Sequence, residues 1–364
     1  MTAMTFNPNI PYNELPTIPP DINFDDVEIL KKVNKANIAL SKLSGEAKSI
    51  PNRQLLIEPL TFREAVASSE IENINTTLDE AFQTVFFVES DLKKEQKETK
   101  NYKEALLKGY KIIKENNFLV TNSIIEIQTI LEPAKPGIRN IPGTKIKNQK
   151  TGEVIFTPPE GETQLRDLLK NFENYFNKFT YDVDPLIKMA VLHYQFESIH
   201  PFFDGNGRTG RILMVLYLCL VNRLELPILF LSGYINKNKN DYYRLLKEVT
   251  TKGNWKEWIL YILNAVEIQS LATTKSVTGI RELMITYKEL IRMKKPKYPV
   301  AELIDYLFSY PYYSQSSLMQ SLNILSRKTA SKYFSELMEI GILEEKRYKN
   351  DKVYFCRRFH EFLI

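Results

Sequence analysis

A chain of 364 residues, 43% hydrophobic and 26% charged, has the composition of an ordinary folded protein, which excludes a disordered or fibrous one. Two cysteines, Cys219 and Cys356, exclude a disulfide scaffold and any metal site built on thiolates, and they fit a reducing compartment. The net charge of +5 is too small to imply a nucleic-acid partner by itself; the segment from Arg292 onward holds 13 Lys and Arg against 8 Asp and Glu, so any such attraction belongs there.

The first 25 residues carry no basic stretch followed by an apolar run and a cleavage site, and they read as an extended, proline-rich arm. The longest apolar run, residues 212–221, is half of the roughly 20 residues needed to span a bilayer, so a cytoplasmic protein without membrane partners is expected. Thr61 follows Pro59 and has Glu64 three residues on, which predicts a capping box opening a helix that runs to about Ser69. Thr77 and Glu80 repeat the device. Residues 97–117 read as an amphipathic helix on Tyr102, Ala105, Leu106, Tyr110, Ile112 and Ile113. Residues 123–131 give another, ended before Pro133.

Between Gly137 and Pro159 the turn signals Pro136-Gly137, Pro142-Gly143 and Thr151-Gly152 precede the strand formers Val154, Ile155 and Phe156, a short hairpin. Helices resume at 163–177 and from Pro185, where Asp184 can cap and proline sits at the first helical position. After residue 205 another places Ile212, Leu213, Leu216, Tyr217 and Leu220 on a broad apolar face, and 241–249 and 255–266 extend the count. The basic, proline-punctuated segment from Lys294 to Pro299 marks a boundary.

Beyond it, helices are expected at 300–308, 315–322 and 326–340, with Ser326 as a cap and Phe334, Leu337 and Met338 facing inward, followed by a hairpin at 342–347 and 352–357. Three helices and a hairpin resemble a winged helix. One reading puts Arg327, Lys328 and Lys332 on a recognition helix and Lys346, Arg347, Lys349 and Lys352 on a wing, against DNA phosphates. The other makes the unit a surface for protein contacts or dimerisation, because Glu336, Glu339, Glu344 and Glu345 share it.

The stretch from His200 to Arg211, His-Pro-Phe-Phe-Asp-Gly-Asn-Gly-Arg-Thr-Gly-Arg, carries the chemistry. Gly205, Asn206 and Gly207 tolerate positive φ and let backbone amides converge on an anion. The helix that follows points its N-terminus there, adding unpaired donors and the positive end of its dipole. Arg208 and Arg211, three apart in its first turns, can both reach phosphate oxygens. Two cations at that end are unfavourable unless an anion compensates, which argues for a ligand. Asp204 offers a hard oxygen to Mg²⁺ bridging phosphates, and His200 can accept a proton from an attacking hydroxyl. Singly, each of these residues has an ordinary structural role; in this order each answers a need created by the others.

The motif resembles the signature of the Fic family, His-Pro-Phe-x-Asp-Gly-Asn-Gly-Arg-x-x-Arg, without a departure. The resemblance implies a mainly α protein: an all-α core with a small β-hairpin flap, here joined to a winged-helix-like domain. It implies an arm and inhibitory-helix region over 1–95, a catalytic core over 96–293 and the last domain over 298–364. It further implies transfer of AMP from ATP to a Ser, Thr or Tyr hydroxyl of a protein. His200 would be the base and Asp204 the Mg²⁺ ligand. The stretch Gly205, Asn206, Gly207, Arg208, Thr209, Gly210 and Arg211 would hold the nucleotide, and Val154, Ile155 and Phe156 would form the flap that docks the target. Ser68-Ser69-Glu70-Ile71-Glu72-Asn73 fits the family's inhibitory pattern at Ser68, Glu72 and Asn73, with Glu72 pairing with Arg211 and closing part of the nucleotide site. Gly233 to Lys237 resembles a further stretch near the nucleotide, which puts Lys237 there. Inhibition within one chain and across a homodimer both stay open, as do a donor other than ATP, such as UTP or a phosphocholine donor, and a DNA-binding regulator that senses nucleotide.

Overall fold

The computed structural model describes residues 6–85, 91–147, 151–178, 182–348 and 351–364, and it is predominantly helical. The first helix, α1 (Val27–Lys48), is capped by Asp26, whose carboxylate accepts from the amides of Glu28 and Ile29. It buries Ile29, Val33, Ala36, Leu40 and Leu43 along α11 (Trp255–Lys294). Ion pairs Asp26–Lys256, Glu267–Lys32 and Glu46–Arg281 rise together along both helices, so the two run parallel. The sequence reading gave α11 only its first third, because polar Ser270, Thr273, Thr274 and Ser276 interrupt the apolar signal on its buried face.

Helix α2 (Gln54–Ile71) corrects the expected capping box. Pro59 lies inside this helix, Thr61 Oγ1 bonds back to the Glu58 carbonyl, and Glu64 is buried with its carboxylate on the amide and hydroxyl of Ser232. Apolar Leu55, Leu56 and Ile57 extend the helix to the N-terminal side of the proline. The second box is present: Thr77 accepts from the Glu80 amide and Glu80 from the Thr77 amide at 3.1 Å each, opening α3 (Leu78–Gln83). Helices α4 (Lys94–Asn116), α5 (Thr121–Leu131) and α6 (Glu162–Asn177) surround the central pair α7 (Pro185–Ile199) and α8 (Asn206–Leu220). Those two are buried on nearly every face, α8 without the one-sided pattern expected of it. The expected hairpin is a narrow antiparallel pair, β1 (Ile146–Lys147) with β2 (Val154–Phe156). Short α9 (Leu231–Lys237) and α10 (Lys239–Lys252) lead into α11.

After α11 come α12 (Val300–Leu307), β3 (Tyr312–Tyr313), α13 (Gln315–Ser321), α14 (Arg327–Glu339), the hairpin β4 (Glu344–Tyr348) and β5 (Asp351–Phe355), and α15 (Arg357–Glu361), with strands in the order β3-β5-β4. Lys349 lies outside the described residues. This unit grips α2 and α3. The Tyr310 hydroxyl donates to Glu58, the Tyr312 hydroxyl and His360 meet Asp79 at 2.7 Å, and Tyr310 and Tyr312 pack on buried Phe62 and Phe82. No helix among the described residues is long and apolar enough to cross a membrane.

Candidate active site

Asp184 caps α7 by accepting from the Leu186 amide at 2.8 Å, and the helix ends at His200, whose backbone is left-handed at φ 47°. That turn starts the loop toward α8. Buried Arg139 holds the loop from outside: its amide donates to the Pro201 carbonyl, its Nε to the His200 carbonyl at 2.8 Å, and its Nη2 to the Pro159 carbonyl. The sequence reading missed Arg139, since an arginine in a proline–glycine loop carries no signal of what it will grip. From inside, the Asn206 side chain accepts from the Phe202 amide and donates to the Phe202 carbonyl, both at 2.8 Å, while Phe202 is fully buried. The loop is thus fixed before any ligand arrives.

Gly205, at φ 78°, turns the chain into α8. Its amide is taken by the Asp204 carboxylate at 2.9 Å, so the free donors of this nest are those of Asn206 and Gly207 in the first helical turn, which lack intrahelical acceptors. Asp204, half-buried, also pairs with Lys135 at 2.8 Å, and these contacts outweigh burial and hold its carboxyl below the ordinary range.

Arg211 is 1% exposed, and its Nε and Nη2 are engaged. Its Nε donates to Ser68 Oγ at 2.8 Å, and its Nη2 to the Ser68 carbonyl at 3.0 Å and to Glu72 Oε1 at 2.9 Å. Ser68 and Glu72 of the inhibitory pattern therefore meet Arg211 within one chain. Burial raises the Glu72 pKa, but the Arg211 charge outweighs it and the carboxyl sits below its usual range. Asn73, left-handed at φ 61°, turns the chain off α2 beside it. A Cβ at Gly207 would press on the Glu72 carboxylate and lie 3.0 Å from Arg211, so glycine leaves room for their pairing.

Arg208 points elsewhere, onto Glu98 at 3.2 Å and Glu132, and does not line the cavity. The protein's own carboxylates thus offset both cations at this helix end, so their cost alone does not demand a ligand. Thr209 is buried beneath the helix start, its hydroxyl unpartnered, and Gly210 faces Glu197, Phe196 and His193. A Cβ at Gly210 would collide with the Glu197 carboxylate and stand 3.2–3.3 Å from the two rings. We expect Gly210→Ala to cost about 1–3 kcal/mol, read as a lower midpoint in urea unfolding.

Some of these groups surround a cavity of about 730 Å³, the size of a small-molecule site, while Asp204, Gly205, Asn206, Arg208, Thr209 and Gly210 are not on its wall. Glu72, Asn73, His200, Gly207 and Arg211 line it, with Ile155 and Phe156 of β2 on one side and Tyr242 and Tyr243 of α10 on another. Phe6 of the N-terminal arm stacks on Phe156 at its mouth. Val154 is in the strand but not on the wall. Burial, aided by the Arg139 charge, lowers the His200 pKa to about 4 against the pull of Glu72, so the imidazole is neutral. Its Nδ1 has no hydrogen-bond partner among the described residues. Burial also raises Glu197 to about 7. Lys237 lies at the exposed end of α9 and is off the cavity; Lys239, two residues on, lines it. Nothing in the local sequence separates the two lysines.

The Fic/DOC family N-terminal model matches residues 30–111, the Fic/DOC family model residues 118–218, and the model of the protein adenylyltransferase SoFic-like C-terminal domain residues 283–359. Over 158 residues the chain is 28% identical to a protein adenylyltransferase Fic of Aedes aegypti, covering 43% of this chain and 29% of that one. Over 110 residues it is 32% identical to the protein of the same name from Drosophila yakuba, 30% of this chain and 21% of that one. The chain thus spans less than a third of these relatives. Two solved structures share its fold. A Fic family protein from Desulfovibrio desulfuricans G20 superposes with a TM-score of 0.57 at 20% identity, covering 93% of this chain and 97% of the other. Fic-1 (residues 134–508) from C. elegans gives 0.51 at 19% identity, with 70% and 73% covered.

Proposed function

The chain belongs to the Fic family, and from that premise we propose that it is a protein adenylyltransferase, moving AMP from ATP to a Ser, Thr or Tyr hydroxyl of a target protein and held down by its own Glu72. The observation that carries this reading is the meeting, on one cavity wall, of a neutral histidine, an open helix N-terminus and an arginine occupied by a carboxylate. In the reaction the target's hydroxyl oxygen attacks the α phosphorus and its proton passes to His200. The bond from that phosphorus to the bridging oxygen breaks, and diphosphate leaves.

The amides of Asn206 and Gly207, with the α8 dipole, hold phosphate charge. Gly205 contributes the turn, and its amide orients Asp204. Arg211 takes the terminal phosphate once Glu72 withdraws, while Arg208, neutralised by Glu98 and Glu132, braces the helix start from behind. Ser68 and Asn73 set the place of Glu72. Thr209 and Gly210 support the helix start. A single carboxylate with an exposed edge suits Mg²⁺, which usually takes one or two carboxylates plus phosphate oxygens, so Asp204 fits as its holder. When bound, Mg²⁺ would supply charge neutralisation at the α and β phosphates. Ile155 and Phe156 would lie along the acceptor segment of the target, by strand addition to the flap.

The test is incubation of the Glu72→Gly protein and a cell extract with ATP, UTP or a phosphocholine donor, each labelled on the group transferred. Protein-bound label from ATP alone, identified by mass as AMP, supports the reading; label from another donor alone replaces it.

A second reading, DNA contact through a winged helix made by α12 to β5, is favoured by one observation. Glu336, Glu339, Glu344 and Glu345 are each paired, with Lys295, Lys295, Arg357 and Lys352, while exposed Arg327 and Lys328 have no ion pair among the described residues. If this surface binds duplex DNA, retention falls with salt and the Arg327→Ala/Lys328→Ala protein elutes earlier; equal elution removes the reading.

A further inference from the structure

We propose that Lys239 is a positioning residue that serves the brake and the nucleotide in turn, holding the end of α2 while Glu72 occupies Arg211 and turning to the polyphosphate once Glu72 leaves. The second half rests on the nucleotide reading of the cavity given above.

Lys239 is the first residue of α10 and is half-buried on the cavity wall shared with His200, Gly207 and Arg211. Its ammonium donates to the carbonyl of Ile71, the last residue of α2 and the neighbour of Glu72. The final carbonyls of a helix lack intrahelical donors and carry the negative end of its dipole, so a cation there is stabilised and the helix end is fixed. The Glu72 carboxylate accordingly sits in the field of Arg211 and Lys239, and both favour its charged form.

Withdrawing Glu72 changes the balance. The wall then presents Arg211 and Lys239 with one fewer anion, and burial raises the pKa of the nearby Glu197 carboxyl to about 7, so it only partly replaces that charge. A polyphosphate matches that excess. A lysine suits an exchange of partners: its charge is compact, its donors rotate and its stem is flexible, whereas an arginine fork is committed to a planar geometry. Arg211 is committed in that way, with three bonds to Ser68 and Glu72; Lys239 has one contact to release.

The experiment compares Lys239→Met in two backgrounds, the natural chain and Glu72→Gly, by AMP incorporation, by calorimetric ATP affinity, and by hydrogen exchange of the amides of Glu72, Asn73 and Ile74, which bond to carbonyls of the last α2 turn. In the natural chain, Lys239→Met should raise incorporation at saturating ATP about threefold to tenfold and speed exchange at those amides. In the Glu72→Gly chain it should give no further rise in kcat and should weaken ATP binding roughly tenfold. Lys239→Arg should restore most of the exchange protection. Lower incorporation in the natural chain with unchanged exchange would overturn the clamp, and unchanged ATP affinity in the Glu72→Gly chain would overturn the nucleotide contact. Should Glu72→Gly itself neither bind ATP nor incorporate AMP, the nucleotide reading fails with that half of the proposal, while the exchange data still decide the clamp.

Discussion

Glu72→Gly raises AMP incorporation, into targets and into the protein itself, by at least about tenfold. The Glu72 carboxylate meets Arg211 at 2.9 Å in a site where that guanidinium is almost wholly enclosed, and separating such a pair costs a few kcal/mol. A nucleotide that needs Arg211 must meet that cost from its own binding energy, so the competent state is sparsely populated. Removing the carboxylate frees the guanidinium for phosphate and leaves its bonds to Ser68, so its position is kept. The measure is label from α-labelled ATP per mole of protein, natural chain against variant. Equal rates would mean that Glu72 is only a helix-end residue. Glu72→Gln should fall between, since an amide still fills the space but pairs less strongly with a cation.

His200→Ala loses incorporation by about 10² to 10⁴ when combined with Glu72→Gly, while ATP affinity stays within a few-fold. The imidazole lies on the cavity wall in its neutral form, which is the state that can accept a proton. The groups proposed to hold phosphate lie on α8 and keep their anchors through Asn206 and Arg139, which hold the loop by its backbone and are indifferent to the side chain at 200. A parallel loss of ATP binding would show instead that the ring supports the loop. The two variants are best measured together, because a chain closed by Glu72, as proposed, would offer little activity from which to see a loss.

What could be read from the sequence was what is contiguous. Although the Asn206 side chain closing on Phe202 is seen only in the structure, residues 200–211 report much of their own geometry, glycine at positive φ and a helix start. None of this needs a distant partner to be recognised. The groups that complete the site come from afar and carry no local sign. Arg139 reaches in from the loop before the flap, Lys135 from the end of α5, and Lys239 from the start of α10, and each would pass in the sequence for a solvated charge. Helix α1 went unread because alanines and interspersed lysines dilute its buried stripe of Ile29, Val33, Leu40 and Leu43. The misplaced cap at Thr61 has a simple cause: proline is favoured at helix starts, and here it lies inside one. The arginines teach the same lesson. Arg208 and Arg211 look equivalent three residues apart, but helical rotation gives one to Glu98 and Glu132 and the other to Ser68 and Glu72.

The grip of the final helices and strands on α2 and α3 has a consequence for how the molecule comes apart. Cutting the chain ahead of Val300 would bare Phe62, on the rod that ends at Glu72, and on the short α3 that follows it would bare Phe82 and strip Asp79 of these two partners. Heating should therefore melt the tail and that rod in a single calorimetric transition, and a lesion near the carboxyl terminus would be felt at a pocket with which it shares no residue.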